Sequence, residues 1–132
     1  MKIMKDAIII TDSTFELSEF KVYAKSLFEF KEANESEVEY YIPYEQESYF
    51  SISKNNTIFN LMENNEQDLI ISEFITFNIF ACLFYEFSYL KSIVAAIPPE
   101  RKIIIDNDHG TLMRKEEFLN LNSYEEFTRG FE

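Results

Sequence analysis

The sequence predicts an α+β (mixed α/β) fold, in which helices pack on a single mixed sheet with one β-α-β crossover near 74–106. Three adjoining segments support this prediction: an extended apolar run at 74–85, a helical pattern at 87–97 and a short apolar run at 102–106. The first run is apolar on both faces, which is typical of an interior strand. A strand-helix-strand unit of this size normally connects parallel strands.

Within this unit, each face of the first strand has its own row of side chains. One row is unbroken and apolar: Ile75, Phe77, Ile79, Ala81, Leu83 and Tyr85. The other row contains Cys82, which is predicted to be a small core residue because a lone thiol has no disulfide partner. The whole chain, 1–132, is predicted to be one globular domain, since its length and 46% hydrophobic content suit a single core.

The remaining elements follow from local patterns. A strand is predicted at 7–11, and apolar residues at helical spacing from Phe20 to Phe28 predict a helix after it. Two signals compete for the start of that helix: Ser18 with Glu19, and Ser13 with Glu16. Residues 54–73 predict a short helix or an irregular loop. Near the end of the chain, a short helix is predicted around 118–121 and a last helical turn at 123–127, since Ser123 and Glu126 have capping-box spacing.

Residues 35–53 predict a β-hairpin with an acidic outer face. Phe50 and Ile52 of the returning strand are expected to face the core with Val38 and Tyr40, while Ser51 and the other alternate residues face solvent. Tyrosine is a favoured interface anchor, and closely spaced glutamates repel one another until a cation arrives. An ordinary solvated sheet face is the alternative interpretation. The predicted partner-binding residues are Glu35, Glu37, Glu39, Tyr41, Tyr44, Glu45, Glu47 and Tyr49.

The negative charge of the chain is concentrated in its middle. The net charge is -12, and residues 32–90 hold 11 acidic residues against the single base Lys54. A field of this kind attracts cationic partners and repels nucleic acid and anionic membranes. Residues 63–68, with Glu63, Glu66 and Asp68, are therefore a second candidate for the binding surface.

The loop Asp106-Asn107-Asp108-His109-Gly110 is the one segment that resembles an active site. It follows a strand, and His109 is a candidate general base or metal ligand. However, a metal site needs three or four convergent ligands, and there is no second histidine. Asn, Asp and Gly also form tight turns for backbone reasons alone. We therefore expect no catalytic residue, no bound metal and no cofactor.

Several classes of protein lack support in the sequence. There is no phosphate-binding glycine loop, no paired CxxC, no HExxH and no Gly-x-Ser-x-Gly motif. A basic stripe for nucleic acid is missing too. The N-terminal residues 1–6 are too polar for a signal peptide, and the richest apolar segment is about half the length of a membrane span. A cytoplasmic protein is the simplest expectation.

Three stretches of the chain resemble known proteins: Ile8-Ile9-Ile10-Thr11-Asp12-Ser13, Lys102-Ile103-Ile104-Ile105-Asp106-Asn107-Asp108-His109-Gly110, and Glu116-Glu117-Phe118-Leu119. In these stretches, and in its small, acidic, Phe- and Tyr-rich layout, the chain resembles bacterial immunity proteins of contact-dependent growth inhibition and related polymorphic toxin systems. The resemblance implies a non-catalytic cytoplasmic protein that binds and blocks one cognate toxin, often a nuclease.

Charge and resemblance together predict a toxin-neutralising protein that binds a basic partner through its acidic, tyrosine-containing surface. Two alternatives remain. A DNA mimic or other anti-host inhibitor, of phage origin for example, would share the acidic surface and differ in its target, so the genome neighbourhood separates the two. A small enzyme using the 106–110 loop would depend on His109, so substitution of that histidine tests it.

Overall fold

The structure, a computed structural model, describes residues 3–27, 29–34, 37–41 and 49–130, with 29–34 and 37–41 as backbone only. The strands are β1 (Lys5–Asp12), β2 (Glu29–Asn34), β3 (Glu37–Tyr41), β4 (Phe50–Lys54), β5 (Phe77–Phe84), β6 (Ile103–Asp106) and β7 (Leu112–Arg114). The helices are α1 (Leu17–Tyr23), α2 (Asn64–Glu73), α3 (Phe87–Ala96), α4 (Lys115–Leu119) and α5 (Tyr124–Arg129), with a 3-10 helix at Asn56–Leu61.

The seven strands form one sheet in the order β2-β3-β4-β5-β1-β6-β7, with helices packed on it, which confirms the α+β class. β5 and β6 run in the same direction because each pairs antiparallel with β1, from opposite sides. Helix α3 connects them, as the sequence predicts. The sheet is not mixed, however: every pairing among the described strands is antiparallel, because β1 occupies the place between the two parallel strands.

One face of the sheet carries an aromatic core beneath four helices. The ring of Phe80, on β5, lies 6.0 Å from that of Phe15 and 5.0 Å from that of Phe20 of α1. Helix α3 contributes Leu90, Ile93 and Val94 to the same cluster, and α4 and α5 contribute Phe118 and Phe127. Cys82 belongs to this core, as predicted, and burial raises the pKa of its thiol.

The opposite face of the sheet is covered over part of its area. Ile8, Ile79 and Ile104 are buried there under Ile70 and Phe74, at the end of helix α2. The cover does not reach Leu83, which is 43% exposed. Strand β5 begins at Phe77 and not at 74, so the predicted apolar row is also wrong at Ile75, which is fully exposed.

Local hydrogen bonds determine where the helices begin and end, and sequence patterns predict these positions only in part. Neither predicted start of α1 is right: the helix begins after Glu16, whose backbone N–H donates to the Glu19 carboxylate at 2.8 Å. Several side chains near this helix start can accept hydrogen bonds from its backbone, and the sequence pattern alone does not show which of them caps the helix. The helix also ends at Tyr23, so Leu27 is exposed, and Phe28 lies outside the described residues. At the last helix the prediction is confirmed, since the Ser123 hydroxyl accepts from the Glu126 N–H at 3.2 Å.

The predicted hairpin pairing is confirmed for the backbone. Val38 lies opposite Ile52 and Tyr40 opposite Phe50, and both β4 residues are buried. The prediction that Ser51 faces solvent is wrong: it is 4% exposed, in a strand that is interior to the sheet, between β3 and β5. Strands β2 and β7 were not predicted. Within the described part of the chain, no helix has the length and apolar character needed to cross a membrane.

Candidate functional site

An open cleft lies where the cover on the second face of the sheet stops. Its volume is about 600 Å3. Strand residues Ile8, Ala81 and Leu83 contribute apolar lining from the sheet, and Ile58, Leu61 and Met62 contribute it from the 3-10 helix and the residue after it. The polar lining consists of Asp6, Glu63, Glu66, Asp106, Asp108, His109 and Gly110. We call this feature the acidic cleft.

The carboxyl groups enter the cleft from three parts of the chain. Asp106 ends β6 and is 3% exposed, and one of its oxygens accepts the Asp108 N–H at 2.8 Å. Burial raises the pKa of Asp106 to about 7. Burial, and then a side-chain hydrogen bond with Asp6, raises the pKa of Asp108 to about 6. At neutral pH the cleft therefore holds carboxyl groups that keep part of their protons.

The 106–110 loop holds its shape through Asn107, which is fully buried. The Asn107 amide donates to the carbonyl of Phe127 at 2.9 Å, and its oxygen accepts from the N–H groups of His109 and Thr111 at 2.8 and 3.0 Å. Asp108 adopts φ of 59°, a left-handed conformation that Asp and Asn tolerate better than most residues. Backbone geometry therefore accounts for the Asn, Asp and Gly of this loop, and His109 is exposed.

The structure brings together two of the segments that the sequence suggests separately. Glu63 and Glu66 of the 63–68 segment line the same cleft as Asp106 and Asp108, while Asp68 is not part of the lining. Sequence reasoning missed Asp6, Ala81 and Leu83. Asp6 sits directly opposite Leu83 in the β1–β5 register, a relation that local sequence patterns do not reveal.

The structure describes only some of the predicted partner-binding residues of the hairpin. Glu35, Tyr44, Glu45 and Glu47 lie outside the described residues. Glu37, Glu39 and Tyr41 are described as backbone in β3. The remaining one, Tyr49, is half-buried, and its ring lies 6.1 Å from that of Tyr85.

The backbone register connects the hairpin with the acidic cleft. Glu39 lies opposite Ser51, Ser51 opposite Leu83, and Leu83 opposite Asp6. These pairings form one row across β3, β4, β5 and β1. Because neighbouring strands are about 4.8 Å apart, the row spans about 15 Å. The hairpin and the cleft are therefore adjacent parts of one sheet.

A second cavity, of about 380 Å3, is lined by Arg101, Lys102, Arg114 and Lys115 together with acidic residues. Three of its four cations form ion pairs within the fold. Glu73 pairs with both Lys102 and Arg114, and Arg101 pairs with Glu19 at 2.9 Å. Lys115 instead donates to the backbone carbonyl of Ile97.

The acidic cleft suits a ligand that is both cationic and partly apolar. Among the described residues, no group of three or more His, Cys, Asp or Glu side chains is arranged to hold a metal ion. The apolar lining instead fits aliphatic groups, and the carboxylates fit an ammonium or guanidinium group. Lysine and arginine side chains combine these two properties.

Comparison of the chain with protein-family models, with curated proteins and with solved structures gave no match. The chemistry of the cleft and the distribution of charge along the chain are therefore the basis on which a function can be proposed.

Proposed function

We propose that this chain is an inhibitory binding protein of the immunity type, which neutralises a cognate toxin in the cytoplasm by occupying a basic surface of that toxin. The observation that supports this most is the acidic cleft, because it combines exposed apolar surface with carboxyl groups that form no ion pair with a described residue. Leu61 is 85% exposed at its wall and Leu83 is 43% exposed. Apolar contact supplies durable binding, and carboxylates supply steering.

The charge distribution agrees with a basic partner. A nuclease must attract a polyphosphate substrate, so its active-site cleft is commonly basic. The excess of acidic residues at 32–90 is suited to match such a cleft and to speed association. An inhibitor bound in this way blocks the substrate path without performing any chemistry.

The proposed binding surface extends from the acidic cleft along the sheet to the hairpin. The backbone row through Asp6, Leu83, Ser51 and Glu39 connects the cleft with the hairpin; Leu83 is exposed in this row and Ser51 is buried. Specific protein interfaces normally bury about 800 Å2 on each partner. A surface of three to four strands, with the cleft at one end, is of a suitable size for this.

The test is co-expression with toxin candidates encoded next to the gene. Each candidate is expressed from an inducible promoter, with and without this chain, and growth is followed. We expect one candidate to arrest growth alone and to be neutralised by the chain. The purified pair should form a 1:1 complex whose association slows as salt rises.

A matched pair of variants locates the surface. Asp6→Lys with Asp108→Lys should abolish protection, whereas Glu100→Lys with Glu116→Lys, at two exposed sites outside the cleft, should preserve it. The proposal is overturned if no neighbouring product is toxic and neutralised, or if the two variants protect equally.

A further inference from the structure

We propose that the acidic cleft receives one lysine or arginine side chain from a protein partner, with the aliphatic stem on Ala81 and Leu83 and the charged group among the carboxyls of Asp6, Asp106 and Asp108. This inference rests on the proposed function, since it names the anchor that the partner inserts. It also commits to a protein segment and not to a free amine.

The carboxyl groups of the cleft have no counterion within the described part of the chain. The cleft lining contains no Lys or Arg. None of its five carboxyl groups forms an ion pair with a described residue, whereas Glu73, outside the cleft, pairs with two cations. Of these groups Asp106 is buried, at 3% exposed, and an acidic side chain that is this buried is normally paired. A protein partner is expected to supply the positive charge.

Apolar surface lies beside those carboxyl groups. Asp6 and Leu83 face each other in the β1–β5 register, and Ala81 lies opposite Ile8 in the next pair on that face. A cation that contacts the carboxyls from this side therefore passes over Ala81 and Leu83. A small hydrated ion gains nothing from that contact, but the methylene stem of Lys or Arg does.

Further apolar side chains line the cleft beside the proposed anchor. Leu61, Met62 and Ile58 belong to the 3-10 helix and the residue after it, and Leu61 is almost fully exposed. These side chains suit apolar residues that flank the cation. The preferred occupant is therefore an apolar-basic-apolar segment of a protein, and a free polyamine leaves these side chains uncovered.

The test uses a defined peptide, acetyl-Leu-Arg-Leu-Arg-Leu-amide, titrated into the isotopically labelled chain and followed by NMR. The control peptide replaces arginine by citrulline, its neutral isostere. We expect shifts at Ala81, Leu83 and the Asp108 amide, and binding at least about tenfold weaker for the citrulline peptide, which corresponds to about 1.4 kcal/mol. Agmatine, which carries the guanidinium without the leucines, should bind more weakly than the arginine peptide.

Two double variants, each of which removes two negative charges, complete the test. Asp6→Asn with Asp108→Asn should lose the arginine preference, and Glu100→Gln with Glu116→Gln should retain it. Asparagine tolerates the left-handed conformation at 108, and removal of clustered charge should not lower stability, which thermal unfolding checks. Equal binding of both peptides, agmatine binding as tightly as the peptide, or shifts confined to another surface would each overturn the inference.

The two proposals fail separately. A chain that neutralises a toxin but does not bind the arginine peptide in the cleft keeps the proposed function and loses the cationic anchor. A chain that binds the peptide there, with the expected preference, but neutralises no toxin keeps the anchor and loses the inhibitory role.

Discussion

Asp106 is a buried carboxyl group that forms no ion pair with a described residue. The residue is 3% exposed and is hydrogen-bonded to the Asp108 N–H, which satisfies one oxygen without neutralising a charge. Its pKa of about 7 in the folded chain lies well above the usual value for an unfolded aspartate. The folded state therefore binds the proton more tightly than the unfolded state does.

This linkage fixes the sign of a pH effect on stability. The contribution of Asp106 is greatest below about pH 4, falls as pH rises through the folded pKa of about 7, and is constant above it. We predict that Asp106→Asn removes most of this loss and raises the free energy of unfolding at pH 8 by at least about 1.4 kcal/mol, the value of one pKa unit. Urea unfolding at pH 5 and pH 8 measures it. Parallel pH profiles for parent and variant would contradict the prediction.

A second prediction at the residue scale compares two residues of the same loop, Asn107, which is buried, and His109, which is exposed. Asn107 is buried with its amide fully engaged, so Asn107→Ala should lower the free energy of unfolding by about 3 kcal/mol. His109→Ala should change it by less than about 0.5 kcal/mol and leave partner binding within a few-fold. Chemical denaturation of the two variants compares them. Loss of protection in a folded His109→Ala chain would reopen the enzyme hypothesis.

The residues of the cleft were only partly predictable. Asp106, Asp108 and His109 could be found because they form a polar loop after an apolar strand. Glu63 and Glu66 could be found because they belong to the acidic tract. Asp6 gave no such signal: it is one acid among the five in residues 1–31, and its role depends on the pairing of β1 with β5.

At the scale of elements, β5 separates the two faces of the molecule. Its interior position is confirmed, since β4 and β1 flank it. Phe80 points into the aromatic core, whereas Leu83, three residues later, points to the opposite face and lines the cleft. One strand thus holds the core on one side and the candidate site on the other.

Substitutions on the two sides of β5 should therefore differ in their effects. Phe80→Ala should lower the free energy of unfolding by about 3–5 kcal/mol, as loss of a packed core ring normally does. Leu83→Ala should cost about 1 kcal/mol or less, because the side chain is half exposed, and should instead weaken partner binding. Thermal or urea unfolding measures stability, and calorimetric titration with the partner measures binding. The reverse ranking of stabilities would contradict this division.

Short elements were the ones that the sequence did not reveal. β7 has three residues, Leu112–Arg114, which is too short for an alternating pattern. β2, at Glu29–Asn34, mixes both charges with apolar residues and shows no clear period. By contrast, α3 and β6 were predictable because each carries a strong apolar pattern that ends in turn residues.

At the scale of the whole molecule, the relative direction of β5 and β6 was predictable, but the strand that lies between them was not. The pattern at 74–106 indicated parallel strands joined by a helix, and β5 and β6 do run in the same direction. That β1 pairs with both depends on contacts about 70 to 100 residues apart in sequence. Such contacts leave no local periodicity.

The charge excess of residues 32–90 gives a prediction for the whole binding surface. Glu37→Lys with Glu39→Lys should slow association with a basic partner and flatten its salt dependence, since the rim charges act mainly on the on-rate. Glu100→Lys with Glu116→Lys makes the same change in net charge outside the acidic cleft and is the control. Stopped-flow association at several salt concentrations measures the effect. Unchanged affinity at low salt would exclude the hairpin and leave the acidic cleft as the binding surface.

The central position of β1 also has a consequence for the growing chain. Ala7 to Ile10, an apolar strand, is synthesised among the first residues of this sequence, but its neighbours in the sheet are Phe77–Phe84 and Ile103–Asp106. Until those later residues are made, this strand has two open edges, and unpaired apolar edges favour association with other chains. Strand β1 is thus enclosed only after segments about 70 to 100 residues further along the chain have been synthesised, and completion of the sheet has to wait for them.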